Sequence, residues 1–414
     1  MNFRRSILVM TVFKTDTNHI RQPARSTSPF RSLGVAIERA STVVFDDLEA
    51  FEQRSERLYD GFSYGLYGTP TSRALEDHIA LLEGGTRALV TPSGLSAIVV
   101  ATMACATAGD RVLLPDTLYG PAKDMAHQIL APLGVEIVVY DPRLDAAVES
   151  HITPRTTLIW VESPGSATLE VQDISAIVAV AKAKGIPVAA DNTWASHLLY
   201  RPLDHGVDIA MQALSKHASG HGDLLMGSLA VRDEALFRRL KDKARLLGYG
   251  VSPDDCALCE RGLKTMPVRM RQSAATAAEV IVWLKEQPQV ARVLHPAEPD
   301  HPGHKVWERD FKGAAGVFGV VFKPCGRDAQ SAALSALHVI QIGASWGGVH
   351  SLVAPSDPRK GRQFCDWLPD GPYWRLSIGL EDSADLISDL SEALSAFEPP
   401  NRHSTRTPLG DAAE

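Results

Sequence analysis

The chain has 414 residues, 45% of them hydrophobic, which is enough for a large core divided into about two or three domains. Its formal net charge of −7, with no basic block or stripe, argues against nucleic acid as a partner. No stretch of the sequence approaches the roughly 20 consecutive apolar residues that a membrane-spanning helix needs.

Residues 1–67 are rich in Arg, Ser and Thr and lack clear periodicity until Phe51, so we predict an extended arm that reaches another subunit. Near the start, Arg4 and Arg5 precede a short apolar run at 7–13. This run is at the short limit for a signal peptide, and no small-residue cleavage site follows it. We therefore predict a cytoplasmic protein.

From residue 68 to about 262, short apolar segments alternate with helical patterns. The predicted elements are helices at 74–82, 95–106, 123–133 and 174–184, and strands at 88–90, 111–114, 136–140 and 158–161. Near-continuous apolar strands separated by amphipathic helices indicate an α/β domain, with a mostly parallel sheet covered on both faces.

After Gly262 the pattern changes, and we predict a smaller α+β domain at 263–414. Its predicted elements are a long helix at 266–286, strands at 290–294 and 316–322, an alternating segment at 373–378 and a final helix at 383–397. A further helix is predicted between the second strand and the alternating segment. The polar tail from about 398 is predicted to fray.

Two neighbouring apolar segments of the large domain each lead to a charged residue. The strand at 186–190 is followed by Asp191, and the segment at 207–213 ends in Ser215 and Lys216. An acid and a lysine at the ends of adjacent buried strands suit an enzyme of pyridoxal phosphate (PLP). In such enzymes the carboxylate pairs with the ring nitrogen and the lysine holds the cofactor covalently. Alone, such a pair is more often two solvated charges, so the surrounding motifs decide.

A turn of small residues is a candidate for binding the cofactor phosphate. Ser93, Gly94 and Leu95 follow a predicted strand and open a helix, where free backbone N–H groups favour an anion. For a PLP site we expect Gly94 and Leu95 to donate backbone hydrogen bonds, and Ser215 to add a hydroxyl. Taken alone, the turn is equally typical of an ordinary helix cap.

An aromatic residue and an arginine complete the candidates. Tyr119 lies just beyond the strand at 111–114, on the edge of the sheet where open α/β folds bind ligands, and its ring can stack on a pyridine. Arg375 can clamp a substrate carboxylate because its planar guanidinium matches the two oxygens. Without the neighbouring motifs, both are typical of packing and edge-strand residues.

Two pairs of residues have a spacing that metals or redox chemistry use. Cys256 and Cys259 lie in a helix-like stretch without a second Cys pair or nearby histidines, so we interpret them as ordinary helix cysteines. His217 and His221 are four residues apart, and we favour structural or hydrogen-bonding roles for them. We predict no metal site.

Together these segments resemble the Cys/Met-metabolism PLP enzymes of fold type I, and most closely their β-lyase branch. The resemblance runs from about Leu58 to Phe397. The motifs that carry it are found, in chain order, at 82–85, 162–166, 191–194, 215–216, 261–265, 345–348 and 375–382. The Glu-Ser-Pro-Gly-Ser sequence at 162–166, and Trp346 beside Ser345, are typical of the β-lyases.

The resemblance implies roles for the residues named above. Lys216 would bind PLP, Asp191 would hold the ring nitrogen and Tyr119 would stack on the ring. Tyr64 would reach across a dimer interface toward the cofactor of a neighbouring subunit, and would share acid–base catalysis with Lys216 and Tyr119. A site that needs a partner residue implies at least a dimer, and closed symmetry favours a D2 homotetramer.

The implied activity is that of a PLP-dependent carbon–sulfur lyase in transsulfuration and methionine biosynthesis. It would cleave L-cystathionine, a small amino-acid thioether, to homocysteine, pyruvate and ammonia, with Arg375, Ser345 and Trp346 binding the substrate. Cystathionine γ-lyase, γ-synthase or cysteine desulfhydrase activity remains open, as does a PLP-binding regulatory protein with residual lyase activity.

The motif around Tyr64 departs from the family pattern. Leu66 stands where the family has an arginine that binds the cofactor phosphate. Arg73 is near in sequence and is a candidate substitute, but we interpret it as a charge on the surface of a helix.

Overall fold

The computed structural model describes residues 14–21 and 32–397. The described part of the predicted arm contains two short α-helices and two 3₁₀ turns: α1 (Thr15–Ile20), α2 (Leu48–Glu52), Gln53–Arg57 and Gly65–Tyr67. An isolated antiparallel bridge joins Thr42 to Tyr64. The apolar run at 7–13 and the tail from 398, with the predictions made for them, lie outside the described residues.

Seven strands form the sheet of the large domain: β1 (Arg87–Thr91), β2 (Arg111–Pro115), β3 (Glu136–Tyr140), β4 (Thr156–Glu162), β5 (Val188–Asp191), β6 (Ile209–Ala213) and β7 (Gly227–Val231). Their order across the sheet is β1-β7-β6-β5-β4-β2-β3. The pairs from β6 to β3 are parallel, whereas β7 is antiparallel to both β1 and β6. The predicted mostly parallel sheet is confirmed.

Helices cover both faces of this sheet: α3 (Pro70–Glu83), α4 (Gly94–Cys105), α5 (Gly120–Met125), α6 (Ile174–Ala183), α7 (Ser196–Leu199) and α8 (Glu234–Leu246). Successive residues of a strand point to opposite faces, so each strand serves two cores. In β5, Val188 and Ala190 pack in one hydrophobic core, while Ala189 packs in the other. Because β2, β4, β5 and β6 are parallel, their carboxyl ends lie together at one edge of the sheet.

Three of these elements were not predicted: strand β7, the four-residue helix α7 and helix α8. Strand β7 is short and includes Gly and Ser, which are weak strand formers, so its sequence pattern is faint. Helix α8 is strongly amphipathic but rich in charge, and it follows β7 directly. Strand β7 and helix α8 lie at the antiparallel end of the sheet, where Gly227 at the start of β7 pairs with Ala213 at the end of β6.

The C-terminal part consists of a long helix and a second sheet: α9 (Pro253–Lys285), β8 (Val290–Leu294), α10 (His304–Asp310), β9 (Val317–Phe322), α11 (Arg327–Ser335), β10 (Gln341–Ile342), β11 (Leu352–Ser356), β12 (Tyr373–Ser377) and α12 (Ser383–Ser395). The order of strands is β10-β11-β12-β9-β8, antiparallel except for the parallel pair β10–β11. This is the predicted smaller α+β unit, with α10, β10 and β11 as additions.

Helix α9 begins well before the predicted start at 266. Ser252 caps it by accepting a hydrogen bond from the backbone N–H of Asp254, and Pro253 occupies the first helical position, where no intrahelical N–H bond is lost. The predicted domain boundary at 262 thus falls inside one continuous helix. Across the described ranges, the chain has no helix long and apolar enough to cross a bilayer.

Candidate active site

A cavity of about 700 Å³ opens at the carboxyl ends of the parallel strands and extends toward the second sheet. It brings together most of the residues predicted for the site: Gly94, Leu95, Tyr119, Asp191, Ser215, Lys216, Trp346 and Arg375. Ser345 joins them through a contact with Lys216. Tyr64 does not line this cavity: it lies on the arm with 46% of its surface exposed, and its role in a neighbouring subunit stays a prediction.

Asp191 is the last residue of β5, and its carboxylate is oriented by the residue two positions later. Its Oδ1 accepts hydrogen bonds from Thr193 N (3.0 Å) and Thr193 Oγ1 (2.5 Å). Thr193 Oγ1 is held in turn by the N–H of Ala213 on β6 (2.9 Å). Within the described chain, Oδ2 receives no hydrogen bond, and the side chain lines the cavity. Burial raises the pKa of Asp191, which a cationic partner would reverse.

Lys216 projects into the same cavity from the turn after β6. Its Nζ donates a hydrogen bond to Ser345 Oγ (2.9 Å) and lies 5.5 Å from the centre of the Trp346 ring. Burial, with the positive charge of Arg375, lowers the pKa of Lys216 to about 8. A substantial fraction of the amine is therefore neutral near physiological pH, as a nucleophile or base requires.

The turn at the start of α4 has the shape of an anion cradle. Ser93 and Ser96 form a reciprocal capping box, so the first helical turn is fixed. Gly94 packs against β6 so closely that an added Cβ would lie 2.7 Å from Ala213 Cβ. The N–H groups of Gly94 and Leu95 have no acceptor among the described residues and point to this end of the cavity, where a phosphate would be stabilised.

Ser215 lies beside this cradle, but its hydroxyl is already engaged. Ser215 Oγ donates to Met226 O (3.2 Å) and accepts from Met226 N (2.9 Å). The predicted hydrogen bond to a phosphate would require the hydroxyl to leave Met226 O. The role of Ser215 toward the cofactor stays a prediction.

Arg375 enters the cavity from β12 of the second sheet. Its Nη2 donates to the backbone oxygens of Ala344 (2.7 Å) and Ser345 (3.0 Å). In the part of the chain that the structure describes, no carboxylate pairs with it, and its buried Nε lacks an acceptor. A half-buried guanidinium without an anion suits the carboxylate of a ligand.

A loop between β11 and β12 lines part of the cavity, and it was not predicted from the sequence. Pro358, Lys360 and Arg362 of this loop line the cavity. Arg362 Nε donates to Asp116 Oδ2 (2.7 Å) and its Nη2 to Glu170 Oε1 (2.9 Å), which ties the loop to the large domain. These partners are distant in sequence, so no local pattern reveals the contact.

The interpretation of Arg73 as a charge on the surface of a helix is wrong, because its side chain is buried. Its Nη1 donates to Glu76 Oε2 (2.8 Å) and its Nη2 to Tyr67 O (3.0 Å), and 7% of its surface is exposed. Arg73 is committed to these partners, and it does not line the cavity. It is therefore no substitute for the arginine that Leu66 replaces.

The two cysteines are free and buried, and the two histidines contact backbone carbonyl groups. Burial raises the pKa of Cys256 and Cys259, which lie inside α9 as free thiols. His217 Nε2 bonds Trp194 O (3.2 Å), and His221 Nδ1 bonds Ser219 O (2.6 Å). Within residues 14–21 and 32–397, no group of three ligating side chains is arranged to hold a metal ion.

These observations fit PLP. The free oxygen of Asp191 suits a ring N–H, the unpaired N–H groups of Gly94 and Leu95 suit a phosphate, and the amine of Lys216 suits an aldehyde. The unpaired guanidinium of Arg375 suits the carboxylate of an amino acid.

The comparisons with known proteins agree with this chemistry. The family model described as "Cys/Met metabolism PLP-dependent enzyme" matches residues 16–395. A cystathionine beta-lyase from Bordetella avium is 40% identical over 86% of this chain and 90% of its own length. An L-alanine/L-glutamate racemase from Wolbachia pipientis wMel is 37% identical over 88% of this chain and 92% of its own.

The fold is shared as well. The solved structure of cystathionine gamma-lyase from Lactobacillus plantarum, complexed with L-serine, aligns with a TM-score of 0.84 at 28% identity. The alignment covers 93% of this chain and 99% of that chain. The predicted fold type I architecture is therefore confirmed.

Proposed function

The chain belongs to the Cys/Met metabolism PLP-dependent enzymes, and we propose that it is a carbon–sulfur β-lyase cleaving L-cystathionine to homocysteine, pyruvate and ammonia. The observation that carries the proposal is the placement of Lys216 Nζ, which is 2.9 Å from Ser345 Oγ in the cavity that also holds Asp191 and Arg375. The similarity to cystathionine beta-lyases supports this choice of reaction within the family. This reaction belongs to methionine biosynthesis.

Four residues would hold the cofactor and make it reactive. Asp191 would accept from the ring N–H, Gly94 and Leu95 would donate to the phosphate, and Lys216 would carry the aldehyde. When bound, PLP supplies an electron sink that stabilises negative charge at the substrate Cα. A carboxylate beside the ring nitrogen keeps that nitrogen protonated, which is the condition for the sink.

Lys216 Nζ is the base. The hydrogen bond to Ser345 Oγ and the indole of Trp346 fix the direction of the amine. Because its pKa is lowered to about 8, the neutral amine is available to take the Cα proton and then return it to the departing sulfur. Arg375 holds the substrate carboxylate, so that Cα lies within reach of the amine.

Tyr119 is placed to donate rather than accept a proton. Burial and the nearby charge of Asp191 raise the pKa of Tyr119, so its phenol stays protonated at neutral pH. Its OH can bond the substrate while its ring lies against the cofactor. Removal of the proton from the incoming amine then falls to Tyr64 of a neighbouring subunit.

We also infer that copies of the chain assemble around this site as a D2 homotetramer in the cytoplasm. The arm exposes large apolar side chains, notably Leu33 (97% exposed), Val44 (88%) and Leu48 (69%), which is unusual for a surface left in water. An interface formed by the arm would bury them and bring Tyr64 to another subunit. Light scattering of the purified protein should give four times the chain mass.

A racemase acting on alanine or glutamate is the second candidate, favoured by the Wolbachia relative. Racemisation needs proton transfer on both faces of Cα, and Lys216 and Tyr119 line the same cavity. Racemisation does not break the carbon–sulfur bond, so product analysis separates the two activities.

The test incubates the purified, PLP-loaded protein with L-cystathionine and, separately, with L-alanine and L-glutamate. The proposal expects pyruvate and homocysteine in equal amounts, and none from the Lys216→Ala variant. 2-Oxobutyrate with cysteine would identify γ-cleavage instead. D-Amino acids without pyruvate would identify the racemase.

A further inference from the structure

Glu162 is a buried carboxyl in the cavity to which the reaction above gives no role. It ends β4, and the parallel pairing of β4 with β5 places it in register with Asp191. Side chains at paired positions of adjacent strands point to the same face, and the strands lie about 4.8 Å apart. Glu162 is 7% exposed and lines the cavity with Asp191.

Both oxygens of Glu162 are used to hold the walls of the cavity. Oε2 accepts from the backbone N–H of Tyr119 (2.7 Å). Oε1 accepts from the backbone N–H of Ser166 (2.8 Å) and from its hydroxyl (2.5 Å). One carboxyl group therefore joins the segment that carries the Tyr119 ring to the turn at 163–170, which also contacts this segment through the hydrogen bond from Ser166 N to Thr117 O (3.0 Å).

This arrangement is costly, which indicates a use beyond simple packing. Among the described residues, no cation forms an ion pair with Glu162, and burial together with the neighbouring Asp191 raises its pKa to about 8. A neutral, well-packed side chain would avoid the cost of burying a carboxyl group. A neutral amide could not serve all three donors, because its NH₂ group would face an N–H.

The link to Tyr119 controls the position of the ring. Tyr119 precedes the first residue of α5, and no side chain caps that position. The Tyr119 carbonyl accepts from the backbone N–H groups of Ala122 (2.8 Å) and Lys123 (3.3 Å), and Glu162 accepts from its N–H, so the carboxyl group fixes the amino-terminal side of the residue from which the ring projects. The ring itself is 45% exposed in the cavity, so packing alone does not hold it.

We propose that Glu162 is a positioning residue, which holds the Tyr119 backbone so that the aromatic ring lies against the PLP ring. The inference rests on the proposed function, since it uses the stacking role given there to Tyr119. Ser166 acts in the same unit, by fixing the other carboxylate oxygen.

The test measures how fast the cofactor is lost, which does not depend on turnover. The loaded protein is dialysed against buffer without PLP, and the visible absorbance of the bound cofactor is followed over time. The variants are Glu162→Gln, Tyr119→Ala and the double variant. Glu162→Asp keeps the carboxyl group but is one methylene too short to reach both partners, and it serves if Glu162→Gln does not fold.

We expect Glu162→Gln to lose PLP about tenfold faster than the wild type, in line with the loss of one hydrogen bond. The rate of PLP loss from Glu162→Asp should lie between those of the wild type and Glu162→Gln. Tyr119→Ala should also lose PLP faster, and the double variant should match Tyr119→Ala, because without a ring there is nothing left to position.

Asp389→Asn is the matched control. Asp389 is also a buried carboxyl with three donors, the N–H groups of His338 (2.7 Å), Val339 (3.1 Å) and Ile340 (2.8 Å), but it does not line the cavity. It should lower the thermal unfolding midpoint as Glu162→Gln does, and leave PLP loss unchanged.

Two results would overturn the inference. One is loss of PLP from Glu162→Gln at the wild-type rate. The other is equal acceleration by Glu162→Gln with and without the Tyr119 ring, which would show that it acts by another route. A wild type that retains PLP but forms no pyruvate would refute the proposed function and leave this measurement interpretable.

Discussion

Replacing Arg362 by methionine should destabilise the protein strongly, because it removes the cation that two buried carboxyl groups share, and Asp116 keeps a longer ion pair with Lys123 (3.4 Å). Arg362 donates to Asp116 (2.7 Å) and Glu170 (2.9 Å), and its side chain is 6% exposed while those of the acids are 1% and 7% exposed. Methionine has a similar length and no donor, so it fills space without neutralising charge. Arg362→Met therefore isolates the loss of the pair from the loss of volume.

The expected cost is about 3–5 kcal/mol in the free energy of unfolding, the range for removing one partner of a buried ion pair. Asp116 keeps Lys123 (3.4 Å) and the backbone N–H groups of Gln363 and Phe364 (both 2.9 Å), which favours the lower part of that range. Arg362 and both N–H donors lie on the loop between β11 and β12, which lines the cavity. The loop should therefore also loosen, and KM for the substrate should rise.

The loss should depend on pH in a direction that the structure fixes. Burial raises the pKa of Asp116, but the hydrogen bonds from Arg362 and from the backbone N–H of Phe364 hold that pKa below its ordinary value. Such a group contributes stability above its unfolded pKa, and the contribution is lost as the pH falls through the folded pKa. In Arg362→Met, Asp116 instead takes up a proton readily, so the difference from the wild type should be smaller near about pH 4.5 than near about pH 7.

Urea denaturation of the wild type and the variant at both pH values provides the measurement. Arg143→Met is the matched control, because Arg143 pairs with Asp141 (2.8 Å) but is 43% exposed. An exposed pair contributes no more than about 1 kcal/mol. A loss in Arg362→Met no larger than in Arg143→Met, or a loss that grows as the pH falls, would refute the reasoning.

Three further predictions concern the cavity. Asp191→Asn should keep PLP bound, since the amide oxygen can still accept from Thr193, but pyruvate formation should fall about a hundredfold or more; near-normal turnover would contradict the role of the carboxylate. In the cofactor-free protein, the rate at which added PLP attaches should rise with pH through about 8, as Lys216 loses its proton. Arg375→Met should move that midpoint upward, because it removes a positive charge that lowers the lysine pKa; a downward shift or none would contradict this assignment. Gly94→Ala should weaken retention of PLP in equilibrium dialysis, because the new Cβ would lie 2.7 Å from Ala213 Cβ; unchanged retention would show that the turn yields without cost.

The sequence was sufficient where chemistry follows directly from strand order. Asp191 and Lys216 each follow an apolar segment, and parallel strands bring their carboxyl ends to one edge, so their meeting could be predicted. The start of α4 was equally readable, because Ser93 is a favoured N-cap residue and a long run of apolar residues follows it. The prediction that Arg375 belongs to the site is also consistent with the structure, since Arg375 lines the cavity although it lies on β12 of the second sheet.

The sequence was insufficient where a role depends on long-range pairing. Glu162 lies in a recognised motif, but its register with Asp191 becomes visible only when β4 and β5 are aligned. Arg73 has the helical spacing of a surface residue, and only the packing of the arm over α3 buries it. The bond between Arg362 and Asp116 joins residues of two domains, for which no local pattern exists.

The central claim is that Lys216 is the residue that carries the cofactor of a carbon–sulfur lyase, and reduction of the loaded enzyme tests it most directly. The holoenzyme is treated with borohydride to fix the cofactor on its lysine, then digested, and the peptides are weighed by mass spectrometry. The account predicts one modified peptide, which contains Lys216, together with loss of pyruvate formation. Modification of a different lysine, or unmodified Lys216 in an enzyme that has lost its activity, would contradict it.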